Sequence, residues 1–344
     1  MTTTELGAAL VDSVQSVHVD TPQLHAAINQ LAEHLPFRAT KPAPFVFVHG
    51  PGGVGKTRAL DVIFGRVART EILPFPIKMA GIEFLAPSDV GNIAYKICEA
   101  VDAFRTNSRD PALAGHFAVE RLNADKNEML AVDRIELIAD ALPRAADFAL
   151  DVLARLTSVG GRVILIVGRS LPGRLEDAIF SYFPSSLTVI TFRPFEAKKI
   201  ADVVRFSGYL AKFATEVKAN LISFDLSDRF DLRPFADEGF AFRMLAASGG
   251  RPGIVTFLLA HALLANRATT IRLSVDHKVL DPVFRDTPLA KLLPYNPFGL
   301  KRPPTLDQLL DALKKMEDPA DAAMLQSVKL PTAYRGRGSG IIVT

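Results

Sequence analysis

Residues 44–57 read Pro-Phe-Val-Phe-Val-His-Gly-Pro-Gly-Gly-Val-Gly-Lys-Thr. An apolar run of β-branched and aromatic residues, Phe45 to Val48, ends at Gly50, and the spacing G-x-x-x-x-G-K-T then runs from Gly50 to Thr57. An apolar segment of helical spacing follows to Arg69. Strand, glycine-rich loop and helix in that order form the setting of a phosphate-binding loop. Glycine lets the backbone close around an anion without Cβ clashes. Successive N–H groups and the positive end of the helix dipole then face the phosphates. The expected nucleotide-binding set is Gly50, Pro51, Gly52, Gly53, Val54, Gly55, Lys56, Thr57 and Arg58. Lys56 is expected to reach the β- and γ-phosphates, and the Thr57 hydroxyl to ligate Mg²⁺.

Outward from this loop, 344 residues exceed what one small core needs, so at least two packed units are expected. A hydrophobic share of 49% with 22% charged residues fits a soluble globular chain. No apolar stretch approaches the ~20 residues that cross a bilayer. The N-terminus lacks a basic region followed by an apolar core, so it does not read as a signal peptide. The single Cys98 has no partner for an internal disulfide. It lies in an apolar helical pattern and reads as a buried thiol in a reducing compartment, the cytoplasm. The seven histidines show no metal-ligand spacing. A net charge of +3 permits nucleic-acid binding without arguing for it.

Residues 1–20 show little periodicity and read as a loose N-terminus. Thr21-Pro22 opens a helix carrying Leu24, Ile28, Leu31 and Leu35 on one face. Further strands are expected at 75–79, 129–132, 163–167 and 187–192, with helices at 89–104 and 147–157. Residues 105–116 read as a turn-rich loop. Apolar strands alternating with helices imply a parallel sheet covered on both faces. From about residue 193 the pattern turns helical, at 197–212, 240–248 and 254–265. A proline-rich linker is expected at 294–304, and a short capped helix at 305–316.

A phosphate loop that hydrolyses its nucleotide needs a second, acidic site: an Asp near Mg²⁺ and a carboxylate or amide to orient water. The segment MLAVDRIE, 129–136, offers Asp133 at the end of an apolar strand. The alternative is one long helix over 117–138, with Asp133 uninvolved. Arg134 follows where a glutamate is usual, and a guanidinium cannot accept a proton. Glu136 is the nearest carboxylate that could substitute.

The order of the phosphate loop, MLAVDRIE, LARLTSVGG (153–161), VILIVG (163–168) and FRPFEAKKI (192–200) resembles the TniB/TnsC-type transposition ATPases, in the initiator-like branch of the AAA+ superfamily. The segment 249–272 looks like the helical lid of that family, and YNPF (295–298) like its C-terminal linker. The resemblance covers roughly residues 18–300. It implies an AAA+ P-loop α/β fold with a parallel five-stranded sheet flanked by helices, at 21–195. A small helical lid at 196–292 and a linker with a partner-docking tail at 293–344 would follow.

It also implies ATP and Mg²⁺ as cofactors, with Thr57 and Asp133 at the metal and Asp133, Glu136 and Arg251 in the catalytic set. Arg251 matches the family's second sensor. Arg134 stands where the hydrolytic glutamate would be, Arg169 where a polar sensor would be, and Tyr182 where an arginine would reach a neighbouring subunit; Arg174 is the arginine nearby. The implied partners are double-stranded DNA, a transposase, and further copies of the chain in a ring or helical filament, with no membrane. Arg105, Asn107 and Arg109 are the candidate DNA contacts. Altered hydrolysis positions beside an intact cradle point to ATP sensing with weak or absent turnover. Two other readings stay open: a nucleotide-gated signalling or defence ATPase acting on a protein partner, and a true hydrolase with an unusual catalytic residue.

Overall fold

The computed structural model describes residues 3–17, 19, 21–34, 45–68, 79–101, 111–124, 129–158, 163–168, 177, 179, 181, 187–197 and 200–317. The chain divides into two compact units. Among the described residues, one comprises those of 22–50 and 56–192, and the other those of 1–21, 51–55 and 193–317.

The first unit is built on a five-stranded parallel sheet. Its strands are β1 (Phe45–His49), β2 (Met79–Glu83), β3 (Met129–Asp133), β4 (Val163–Gly168) and β5 (Leu187–Thr191), in the spatial order β2-β3-β4-β1-β5. The central position of β4 puts Phe45 opposite Ile164, and Met129 opposite Val163. Its helices are α2 (Pro22–His34), α3 (Lys56–Ala68), α4 (Ile93–Ala100), α5 (Pro111–Ala124) and α6 (Pro143–Ser158), while α1 (Thr3–Gln15) belongs to the other unit. Phe45, Phe47, Ile82, Leu130, Val132, Ile164 and Ile166 pack with buried residues of α4, α5 and α6. The alternate residues Val46, Val48, Ala131, Leu165 and Val167 are buried as well. That two-sided burial is why these strands read as continuous apolar runs.

Several expectations are corrected here. The second strand is at 79–83, and 75–78 lie outside the described residues. The helix expected at 89–104 is a 3-10 turn, Pro87–Asn92, followed by α4. Residues 111–116 are not loop but the start of α5. Pro111 is its first residue, where a missing N–H costs nothing. Gly115 faces α6 so closely that an added Cβ would lie 3.0 Å from Val152 and 3.2 Å from Phe148. The long helix over 117–138 is excluded, since 129–133 form β3 and Asp133 ends it.

The second unit is helical: α1 (Thr3–Gln15), α7 (Ile200–Ser223), α8 (Glu238–Ser248), α9 (Pro252–Ala265), α10 (His277–Arg285) and α11 (Leu306–Glu317). A two-stranded parallel pair, β6 (Phe230–Asp231) and β7 (Leu273–Ser274), closes one side. The N-terminus expected to be loose is α1, which packs on α7 and α9. Its Ala9, Leu10 and Val14 join the core of this unit. The Asn220 amide of α7 ties down its end, donating to the Ser13 carbonyl at 3.1 Å and to the Ser16 hydroxyl at 3.0 Å.

The C-terminal boundary also shifts. Leu293, Phe298, Leu309, Ala312 and Met316 are buried in the same core. Residues 293–316 of the expected linker and partner-docking tail thus pack with the helical unit, and its remainder, 318–344, lies outside the described residues. Asn296 fixes the turn, with its amide donating to the Asp281 carboxylate at 2.6 Å and its side-chain oxygen accepting from the Phe298 N–H at 2.9 Å. The buried Arg243 donates to the Pro297 carbonyl at 2.7 Å.

If α1 is a core element, Leu10→Ala should destabilise the helical unit by about 2–4 kcal/mol, the range for an emptied leucine site. A shift below ~0.5 kcal/mol in chemical denaturation, typical of surface positions, would return residues 1–20 to the status of a loose arm.

Candidate nucleotide-binding site

Within the first unit, β1 ends at His49. Its imidazole Nε2 lies 2.7 Å from the Thr191 hydroxyl of β5, and its carbonyl accepts from the Phe192 N–H at 2.8 Å. The chain then leaves the sheet at Gly50 with φ +149°, where a Cβ would stand 2.3 Å from the Phe192 carbonyl oxygen. Only glycine fits that combination of close approach and positive φ. Gly53 (φ +79°) and Gly55 (φ +97°) also take positive φ, and a Cβ at Gly55 would meet nothing within 4 Å. Lys56 and Thr57 open α3. The Lys56 ammonium folds back on the loop and donates to the Gly50 carbonyl at 2.7 Å. Arg58 points along its own helix, 3.6 Å from Asp61.

The acidic partner comes from two strands away. The Thr57 hydroxyl donates to the Asp133 carboxylate at 2.6 Å. The other Asp133 oxygen accepts from the Arg134 N–H at 2.8 Å. Asp133 is only 7% exposed. Burial pushes its carboxyl above the usual range, outweighing these hydrogen bonds and the positive charges of Lys56 and Arg134. Within this unit, lysine, hydroxyl and buried carboxylate suit a polyphosphate with Mg²⁺, which needs one or two carboxylates and takes its other oxygens from phosphate and water. Lys56 would hold the phosphates; Thr57 and Asp133 would hold the metal.

Arg134 sits in the left-handed region, φ +63° and ψ +41°. For a non-glycine residue this costs about 1 kcal/mol. Its guanidinium lies 3.9 Å from the Glu83 carboxylate at the end of β2. Glu136 lies in the 3-10 turn Ile135–Ile138, its carboxylate 3.4 Å from where a Gly168 Cβ would stand at the tip of β4. Sequence reasoning missed Glu83. The signal was its place at the end of an apolar strand, but strand order was needed to bring it to Arg134.

Within the helical unit, residues 51–55 meet the start of α9. The Gly53 carbonyl accepts from the Gly253 N–H at 2.7 Å, and a Cβ on Gly253 would crowd Gly53 at 3.0 Å. Pro51, Gly52 and Val54 lie on the same stretch, with Val54 buried. Arg251, expected to sense nucleotide, stands beside Gly53, and its buried guanidinium donates to the Met316 carbonyl in α11. Arg105, Asn107, Arg109, Arg169, Arg174 and Tyr182 lie outside the described residues. Cys98 is buried, and burial pushes its thiol up.

No family model and no curated protein matches the sequence. Solved structures do match in fold. Cdc6p from Pyrobaculum aerophilum aligns with a TM-score of 0.52 at 13% identity, over 92% of this chain and 97% of that one. The ORC2 protein of Aeropyrum pernix, solved in ADPNP–ADP complexes, aligns at 0.51 and 16%, over 78% and 68%. Drosophila ORC bound to DNA aligns at 0.50 and 14%, over 96% and 80%. At these identities the likeness is one of fold: a parallel five-stranded sheet flanked by helices and followed by a helical lid, the AAA+ architecture.

The raised pKa of Asp133 has a definite sign for stability. Burial disfavours the ionised form of Asp133 in the folded state, and that cost is relieved as pH falls through its folded pKa towards the unfolded value of about 3.9. Asp133→Asn should therefore raise the Tm of the nucleotide-free protein at pH 7, by a margin that shrinks towards pH 4, while weakening binding of Mg²⁺-nucleotide. Thermal melts at both pH values check this; a lower Tm at pH 7 would mean that the Thr57 and Arg134 hydrogen bonds outweigh burial.

Proposed function

We propose that this chain is an ATP-binding AAA+ switch that assembles on duplex DNA and regulates transposition by recruiting a transposase, with binding of ATP dominating over its hydrolysis. The observation that carries the reading is the Lys56–Thr57–Asp133 constellation, intact beside an arginine where a water-orienting carboxylate would be needed. Such a site holds a triphosphate and its metal but offers Arg134, which cannot take a proton from water. ATP would then favour an assembled state, and release of the nucleotide would reset it. Glu136, against the tip of β4, is the carboxylate left to support slow turnover.

The DNA part of the reading draws support from the resemblance to TniB/TnsC-type proteins and from the fold shared with Drosophila ORC, which was solved bound to DNA. Arg105, Asn107 and Arg109 remain the proposed DNA contacts, since phosphate recognition needs only cationic and small polar side chains. Ring or filament assembly, the transposase partner and action in the cytoplasm belong to the same proposal; a lone, buried Cys98 fits a reducing compartment.

The test is light scattering with and without ATP·Mg²⁺ and duplex DNA, with phosphate release followed in the same samples. Large particles that need both ligands, with little phosphate released, are the expected result. DNA affinity should fall steeply between low and physiological salt through counterion release. Lys56→Ala should abolish assembly, and Arg134→Glu should raise turnover by restoring a carboxylate. Particles indifferent to DNA would move the reading to a nucleotide-gated switch acting on a protein partner, and rapid phosphate release by the native chain would make it a true hydrolase.

A further inference from the structure

We propose that Glu83 and Arg134 form a latch that makes the site discriminate nucleoside triphosphate from diphosphate: Glu83 holds the Arg134 guanidinium aside at rest, and the terminal phosphate draws it in. This rests on the nucleotide-binding reading above and adds a residue pair that sets its specificity.

Three observations carry it. The register of β2 against β3 sets Glu83 opposite Asp133, so the residue after Asp133 leaves the sheet beside the Glu83 carboxylate. Arg134 is turned there by a left-handed backbone, one of two non-glycine residues with positive φ among those described. A residue held in that conformation is kept there by its surroundings and often marks a functional position. Finally, the pair is loose. Its closest approach is 3.9 Å, with the Glu83 side chain 50% exposed and that of Arg134 25% exposed.

An exposed pair of that length is worth little in water. A terminal phosphate offers more charge and several acceptor oxygens to a guanidinium, whose fork can engage two of them at once. The backbone N–H of Arg134 donates to the Asp133 carboxylate at 2.8 Å, so the side chain starts from beside that group. A modest swing of the side chain, with no movement of the strands, therefore takes the cation from one anion to the other. ADP lacks the terminal phosphate and leaves the latch closed. The position that elsewhere would serve hydrolysis here reads the number of phosphates.

The experiment is calorimetric titration of the full chain with Mg²⁺ and either ADP or the non-hydrolysable β,γ-imido analogue of ATP. The native chain should prefer the analogue by about tenfold, a typical coupling between two states. Arg134→Ala should erase that preference while changing ADP affinity less than about twofold, because the side chain meets only the terminal phosphate. Glu83→Gln should strengthen binding of the analogue and leave ADP unchanged, and it should have no effect once Arg134 is alanine. A preference that survives Arg134→Ala, or a Glu83→Gln effect equal for both nucleotides, overturns the latch alone. Failure of the folded native chain to bind either nucleotide overturns the latch together with the nucleotide-binding reading.

Discussion

The hydrogen bond from the Thr57 hydroxyl to the Asp133 carboxylate is the interaction on which the first unit is organised. It joins the first turn of α3 to the end of β3, residues 76 apart in sequence. It can form only because β4 lies between β1 and β3 and keeps both in parallel register with itself. A slip of two residues in either pairing would displace a strand end by roughly 7 Å, at about 3.3 Å per residue, well beyond hydrogen-bond reach. The pairing of these strands thus has a chemical consequence. Pairing with β4 holds both strands in register, and the register fixes where a carboxylate meets a hydroxyl.

The site also carries a tension of its own. Burial disfavours the charged form of Asp133, and the compensation comes from one hydroxyl, one backbone N–H and two nearby cations. A residue so placed weakens the fold that buries it. The helical unit places polar groups in its core differently. Its buried arginines, Arg243 and Arg251, each donate to a backbone carbonyl, of Pro297 and of Met316. Both carbonyls belong to the C-terminal part of the chain, so the two arginines help to seat residues 293–316 on the unit.

Features that depend on neighbours in sequence were legible from the sequence; features that depend on neighbours in space were not. The phosphate loop could be read because its glycines, lysine and threonine lie on eight consecutive residues between a strand and a helix. Asp133 could be read because five apolar-to-acidic residues form one strand. The contact of Glu83 with Arg134 needs the order β2-β3-β4-β1-β5, which no spacing reveals. Helix α1 shows too little periodicity to stand out in the sequence, and its Leu10 and Val14 become core only through packing with α7 and α9. In α5, Pro111 and Gly115 look like turn residues. One begins the helix and the other admits the side chains of α6. The C-terminal prolines suggested an extended linker because the burial of Phe298 and Met316 is a tertiary fact.

The charge balance around Asp133 also bears on the order in which a filled site would be put together. Among the described residues no group of three or more His, Cys, Asp or Glu side chains could hold a metal ion. The one carboxylate next to Thr57 is flanked by the positive charges of Lys56 and Arg134. Those two cations offset part of what this carboxylate offers a bare divalent cation. A hard cation such as Mg²⁺ also gives up its water reluctantly. A Mg²⁺ held by Thr57 and Asp133 would therefore enter as a complex with phosphate oxygens, whose negative charge Lys56 and Arg134 would offset.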